Sequence, residues 1–474
     1  MQVGELEVAR RRRVAIAGAS GFIGRAVARA LAGRFEVVGI ARSVPADADP
    51  AAFRAADLFN LREAEHALEG ADVALYLVHS MMPSARLTQG GFADFDLLCA
   101  DNFARAAARA GVRQIVYLGG LTPDGPLSPH LRSRLEVEDA LRGHGAAVTV
   151  LRAGLVIGAG GSSFDMLVNL VRRLPVMLCP RWTSTRTQPV ALDDLVAQLA
   201  YVVGRPECEG QTYDLGSPEV ITYRDLMEQT AAALGLRRRM LSVPLFSPRL
   251  SRLWVSLFSG APAELVGPLV ESLRHEMVAR DLRLAALAGV TPMSTRQALA
   301  QALATTTPTT ATATATAAPK RRARARPASL VRSVQRMRLP AEADAAWAAR
   351  EYVRWLPRRL SGLLRAERDD DGSARFYLRG VRAPLLVLTH AAERSTPGRQ
   401  LFFVTAGTLV ARGSRGRFEL RQVLGGGTLL TAVFDFAPSL PWWLYRATQA
   451  RVHAWVMASF ARHLARQARV VTRP

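Results

Sequence analysis

The sequence predicts an α/β fold, a parallel doubly wound sheet, followed by a separate α+β domain. Three observations point there. A short apolar strand runs into a triple-glycine turn and a helix near the start; strand-like and helix-like stretches then alternate regularly as far as residue 216; and a Thr/Ala tract from residue 305 marks a change of rhythm.

The first observation is Arg13-Val14-Ala15-Ile16-Ala17, followed by Gly18-Ala19-Ser20-Gly21-Phe22-Ile23-Gly24 and by Arg25–Leu31. The apolar run reads as a buried parallel strand, the glycines as a tight turn, and the Ala/Val/Leu-rich segment as a helix packed on the sheet. Gly18 serves the turn, Gly21 lets backbone N–H groups approach a diphosphate, and Gly24 lets helix and strand pack closely. The spacing has one more residue between the first two glycines than the dehydrogenase fingerprint. Gly18, Ser20, Gly21, Phe22, Ile23 and Gly24 are thus the expected holders of a dinucleotide. A second strand, Phe35–Ala41, ends at Arg42, where an acidic residue would bind a ribose 2′-OH and a cation accommodates a 2′-phosphate. NADP is expected ahead of NAD.

The remaining elements follow in order. A short third strand precedes Ala56-Asp57-Leu58, a helix covers Leu61–Glu69, and a fourth strand, Val73–Val78, ends before His79-Ser80-Met81-Met82. Open α/β sheets bind ligands at that carboxyl end. A long helix, Phe92–Ala110, stops at Gly111; a fifth strand, Gln114–Leu118, a helix near Pro129–Gly143 and a sixth strand, Ala147–Leu151, lead to Arg152–Gly158. Ser162–Pro175 reads as an amphipathic helix over the cleft, and Arg181–Gln188 as polar groups turned toward a substrate. Leu241–Leu273, apolar but broken by four prolines, reads as a lid, a helical cap or a membrane-touching surface.

Composition narrows the partners. The 474 residues exceed one ordinary domain. No uninterrupted apolar run reaches about 18 residues, so no membrane span is expected. Arg10–Arg13 are followed by no apolar h-region, which argues against a secretory signal. Cys99, Cys179 and Cys208 lie far apart without metal-ligand spacing, which fits buried thiols in a reducing cytoplasm, and no metal site is expected. Eight scattered histidines form no H-E-x-x-H, no G-x-S-x-G elbow occurs, and no nucleic-acid reading motif accompanies the charge. The net charge of +22 is uneven: residues 1–300 carry a net of +3, and residues 301–474 a net of +19. Such a field favours anionic partners, while a bias toward arginine, with Lys320 the only lysine, explains it without any partner. The expected location is the cytoplasm, with peripheral contact at the inner face of an anionic membrane as the variant.

Residues 13 to about 300 resemble the short-chain dehydrogenase/reductase superfamily, in the extended or atypical branch that includes nucleotide-sugar epimerases and NmrA-like proteins. The glycine motif, Ala56-Asp57-Leu58, Arg152–Gly158, Gln188–Leu195 and Thr212–Gly216 carry the likeness over about three fifths of the chain. Tyr76–Met81 and Ser128–Arg134 are similar to a narrower atypical subgroup of NAD(P)H-binding, epimerase-like proteins. The resemblance implies a Rossmann-type sheet and places Asp57 and Leu58 against adenine. It also implies a Tyr and, four residues on, a Lys as the proton-donating pair. Here the matching helix begins with His130 and carries Arg134, and the domain has no lysine. Histidine serves as an acid near neutral pH, whereas arginine stays protonated and shares no proton relay. His130, Arg134 and His79 are therefore the candidate catalytic residues. The expected activity is that of an NADP(H)-dependent oxidoreductase or epimerase acting on a carbonyl or hydroxyl of a small molecule not identified by the sequence. The alternative is a non-catalytic NADP(H)-binding regulator or assembly factor whose basic C-terminal domain binds a partner, lipid or hydrophobic ligand.

The expected division is a flexible basic N-terminus at 1–12, a dinucleotide-binding domain with a small substrate lobe at 13–304, a disordered Thr/Ala and basic linker at 305–329, and a second domain at 330–474. In the last, a strand at Leu330–Leu339 and a helix at Glu342–Leu364 precede strands at Ala374–Val381, Leu385–His390, Leu401–Ala411, Phe418–Leu424 and Thr428–Phe436. Gly425–Gly427 reads as a hairpin turn, and Trp442–Ala468 as one long amphipathic helix. This order resembles the helix-grip architecture of START and polyketide-cyclase-like proteins, which implies a hydrophobic ligand between sheet and helix.

Overall fold

The computed structural model describes residues 11–46, 49, 52–79, 85–243, 271–305 and 331–471, with residues 469–471 described by backbone alone. Ser80–Met82, most of Leu241–Leu273, the Thr/Ala tract, the basic run after it and residues 1–10 lie outside the described residues. The chain divides into two compact units, residues 1–81 with 99–319 and residues 82–98 with 320–474.

The first unit is a Rossmann-type α/β fold. Its strands are β1 (Arg13–Ala17), β2 (Glu36–Ala41), β3 (Phe53–Ala55), β4 (Val73–Tyr76), β5 (Gln114–Gly120), β6 (Ala147–Ala153) and β7 (Thr212–Leu215). They form one sheet in the order β7-β6-β5-β4-β1-β2-β3, every neighbouring pair parallel. The order reverses between β1 and β4, so helical crossovers leave in opposite directions and open a crevice at the carboxyl ends there. Val14, Ile16, Val73, Leu75, Val116 and Leu151 are fully or almost fully buried, as continuous apolar runs in a two-sided parallel sheet require.

Helix α1 (Phe22–Leu31) follows the glycine loop and buries Gly24, Val27 and Leu31. Helix α4 (Pro129–Arg142) starts at Ser128, whose hydroxyl accepts from the Leu131 N–H at 3.3 Å, with proline at its first position. Two further helices, α5 (Ser162–Arg173) and α7 (Tyr223–Ala233), build the smaller lobe. A reciprocal capping box between Thr222 and Asp225 fixes where α7 begins.

The second unit contains a sheet of eight strands. Seven are antiparallel, in the order Leu364–Arg368, Ala374–Leu378, Pro384–His390, Arg399–Ala406, Arg417–Val423, Thr428–Phe436 and Val331–Arg338. The eighth, Leu87–Gln89, comes from far earlier in the chain and lies parallel to Val331–Arg338. Gln89 donates to the Ala450 carbonyl at 3.0 Å, and Arg336 reaches Asp94 at 2.9 Å. By sequence this stretch falls within the dinucleotide-binding domain expected at 13–304; in the structure it completes the second sheet.

Other boundaries differ for local reasons. The helix expected to reach Leu364 ends at Arg359, because Ser361 and Gly362 are left-handed at φ 49° and 75°, and a strand missing from the sequence reading, Leu364–Arg368, follows. The expected single C-terminal helix is two, Trp442–Ala447 and Gln449–Val471, parted at Thr448. Gly425 and Gly426 both take positive φ at their turn, as read, and Leu424 does so too. Against one face of the sheet, Tyr352, Trp355, Phe376, Phe402, Phe418 and Phe460 pack on one another.

Candidate functional site

The glycine loop is shaped by sterics. Gly18 has φ 89°, and a Cβ there would stand 2.9 Å from the Leu77 carbonyl oxygen at the end of β4. A Cβ on Gly24 would sit 2.1 Å from the Gly18 carbonyl oxygen, so no side chain fits where α1 crosses the loop. Gly21 caps α1 with no side-chain hydrogen bond, which leaves the first-turn amides to a ligand. Phe22 lies against Gly158 and Gly161, where a Cβ would come within 2.8 Å and 2.9 Å of its ring.

A cleft of about 480 Å³ begins at this loop. Gly18, Gly21, Phe22, Ile23 and Gly24 line it, as do His79, His130 and Arg134 with Gly119 and Gly120. Much of the remaining wall is apolar, formed by Met166, Leu167 and Leu170 of α5, by Trp182, and by Tyr223, Leu226 and Met227 of α7. The Trp182 and Tyr223 rings meet edge to face at 6.2 Å.

The three candidate catalytic residues come together. His130 and Arg134 are one helical turn apart and share a face of α4. Arg134 is buried, and its guanidinium contacts the Nδ1 of His79 and lies 3.2 Å from that ring's Nε2. The Tyr117 hydroxyl donates to the Arg134 carbonyl at 3.2 Å, tying α4 to β5. The two imidazoles are nearly parallel, 24° apart, with centres at 6.5 Å.

Electrostatics follow from this packing. Burial pushes the His130 pKa down to about 4, and the Arg134 charge adds to the effect. His79 falls well below its ordinary value through burial, then Arg134, then His130. Both rings are therefore neutral at pH 7. Arginine only donates, so the His79 nitrogen that bonds Arg134 is the acceptor and the other carries the ring proton.

Other predicted residues stand elsewhere. Arg42 lies exposed one residue past β2, and Ser20 is exposed in the loop. Asp57 accepts from the Phe59 N–H at 3.2 Å, and buried Leu58 offers its carbonyl to Asn102 at 2.8 Å. Neither Arg42, Asp57 nor Leu58 lines the cleft. From Arg181–Gln188, read as polar groups facing a substrate, the cleft takes Trp182; Thr187 and Gln188 are buried, Gln188 in hydrogen bonds to Ser217 and Ala279. Tyr223, Leu226 and Met227 were not singled out from sequence, and their only local signal is the capping box that opens α7. Among the described residues no cluster has the make-up of a metal site, and no helix is long and apolar enough to cross a membrane.

Residues 18–161 match a protein family described as NAD(P)H-binding. The first unit contains an NAD(P)H-binding domain. Its glycine cradle, closed to any Cβ at Gly24 and backed by uncapped helix amides, fits a dinucleotide diphosphate. Over 111 residues the chain is 28% identical to the auxiliary protein GraX of Staphylococcus aureus. That alignment takes in 23% of this chain and 36% of GraX, so the chain spans about a third of the length of the curated relative it matches. Among solved structures it is similar to the NADPH-dependent quinone oxidoreductase QOR2 of Escherichia coli, at 20% identity and TM-score 0.48 over 60% of this chain and 98% of that one. The Citrobacter sp. triphenylmethane reductase complexed with NADP(H) gives 20% and 0.48 over 61% and 99%. A nucleoside-diphosphate-sugar epimerase from Staphylococcus aureus gives 16% and 0.49 over 61% and 99%.

Proposed function

We propose that the first unit is an NADP(H)-dependent, short-chain-dehydrogenase-like reductase of apolar carbonyl compounds. The observation that carries this reading is that the glycine loop, two histidines, a buried arginine and an apolar wall of Met, Leu, Trp and Tyr line one and the same cleft. A sugar nucleotide would bring hydroxyls and a second diphosphate to a wall with few groups to receive them. An aromatic or alicyclic ketone or a quinone matches it.

The bound dinucleotide supplies the hydride. Gly18–Gly24 hold its diphosphate, and Arg42 receives the 2′-phosphate at the end of β2. Arg134 carries a permanent charge toward a carbonyl oxygen, and the neutral imidazoles offer N–H donors without a charge to desolvate. Because neither ring holds a second proton at pH 7, the proton that completes the alcohol comes from water.

The test is NADPH oxidation across a panel of aryl ketones, quinones and nucleotide sugars, with calorimetry of both dinucleotides. Arg42→Ala should cost about tenfold in NADPH affinity and leave NADH unchanged. Arg134→Gln should lower kcat/KM about 100-fold with NADPH affinity kept. Equal affinity for NADH in the unmutated protein would overturn the cofactor assignment, and turnover confined to nucleotide sugars would overturn the substrate class.

A second reading, a non-catalytic NADP(H)-binding regulator or assembly factor, draws support from one observation: where the resemblance implies a proton-donating Tyr and Lys stand His130, held neutral at pH 7, and Arg134, which shares no proton relay. Tight NADPH binding without turnover of any panel member favours it. For the second unit, the order strand, helix, six strands and two closing helices supports a helix-grip-like fold.

A further inference from the structure

The C-terminal helices of the second unit present an unusual surface. From Phe436 to Pro474 the sequence has no acidic residue and six arginines. Helix Gln449–Val471 buries Val456, Met457, Phe460 and Leu464. On its other side Arg451, Val452, Trp455, Arg462 and Arg466 are exposed, Trp455 by 41% and Val452 by 56%. In the short helix before it, Trp443 is exposed by 71%, three residues from exposed Arg446.

A neighbouring helix, Ala345–Arg359, extends the same chemistry. Its Trp355 packs on Phe460 at 5.1 Å, and its Glu351 pairs with His463 at 2.8 Å. Glu351 is that helix's only acid, and it is committed to this pairing. Arg350, Arg354 and Arg358 recur every four residues and are exposed, and the Arg359 guanidinium lies 4.6 Å over the Trp455 ring. The Trp455 ring is thus held beside a cation on the second helix.

We infer that this two-helix face, with Trp443, Val452 and Trp455 among exposed arginines, docks on an anionic lipid bilayer. Charge complementarity names the partner: the clustered cations outnumber the one exposed acid beside them, Glu342 near Arg466, and suit a sheet of lipid phosphates. The apolar residues choose between polyanions. Tryptophan is at home in the headgroup layer of a bilayer, and Val452 gains there, whereas along a nucleic-acid strand an aliphatic side chain has no base to stack on.

The experiment is co-sedimentation of the full chain with vesicles of phosphatidylcholine, pure or with about one third phosphatidylglycerol, at ~0.05 M and ~0.5 M salt. Binding should need phosphatidylglycerol and disappear at high salt. Arg451→Gln with Arg462→Gln should weaken it about 25-fold, since each basic residue is worth about fivefold near such a surface. Trp443→Ala with Val452→Ala should weaken it further, and Arg350→Gln with Arg354→Gln, on the other helix, should repeat the arginine effect. NADPH affinity and thermal unfolding serve as checks that each variant is folded. The inference fails if the unmutated chain ignores phosphatidylglycerol, if folded variants bind as well as it does, or if single-stranded DNA strips the protein from the vesicles at equal phosphate.

Discussion

At the scale of single residues, the site rests on contrasts in what a position tolerates. Gly24 was legible because a steric demand leaves a mark in the alphabet: a Cβ 2.1 Å from a carbonyl oxygen admits nothing but glycine. His79 and Arg134 were legible separately, one by its place after a strand and one by its spacing from His130. Their contact spans 55 residues and is a product of the fold. What the residue types did not disclose is the charge state. Read as an acid near neutral pH, His130 is instead held neutral by burial and Arg134. A histidine whose folded pKa is lowered adds stability that is complete above its unfolded value and is lost as pH falls through the window below it. For His130 that window runs from the ordinary 6.5 down to about 4, and His79 and His453 shift in the same direction. The urea midpoint should therefore fall between pH 7 and pH 5, and His130→Asn should flatten that fall. A midpoint that is level across the range would refute the neutral assignment.

At the scale of elements, the parallel sheet was readable strand by strand, since buried strands are runs of Val, Ile, Leu and Ala bounded by turn residues. Three-residue Leu87–Gln89 has no such pattern, and its pairing with Val331–Arg338 is decided by partners out of reach of local sequence. Leu364–Arg368 was hidden behind an apparent helix that Ser361 and Gly362 end. One residue secures the early strand: Gly90, at φ 130°, would place a Cβ 2.2 Å from the Val334 carbonyl oxygen. Gly90→Ala should destabilise the second unit by about 1–3 kcal/mol while NADPH affinity in the first is kept. Calorimetric unfolding with and without NADPH separates the two transitions, and an unchanged transition for the second unit would refute the role given to Gly90.

At the scale of the whole molecule, the asymmetry of charge seen in the sequence coincides with the division of labour proposed above. A near-neutral unit handles a dinucleotide, and nearly all the net positive charge lies in the C-terminal third. The linker composition announced two bodies, but not that residues 82–98 belong with the second. That membership has a consequence for biosynthesis. Ser333 and Gln89 bond at 3.2 Å across 244 residues, so on the ribosome the early segment waits about 12–50 s, at ~5–20 residues per second, before its partner exists. Nascent chains arrested before Val331 should be cut by trypsin at Arg86, and the released protein should resist; equal cleavage of both would show that the segment finds shelter without its partner strand.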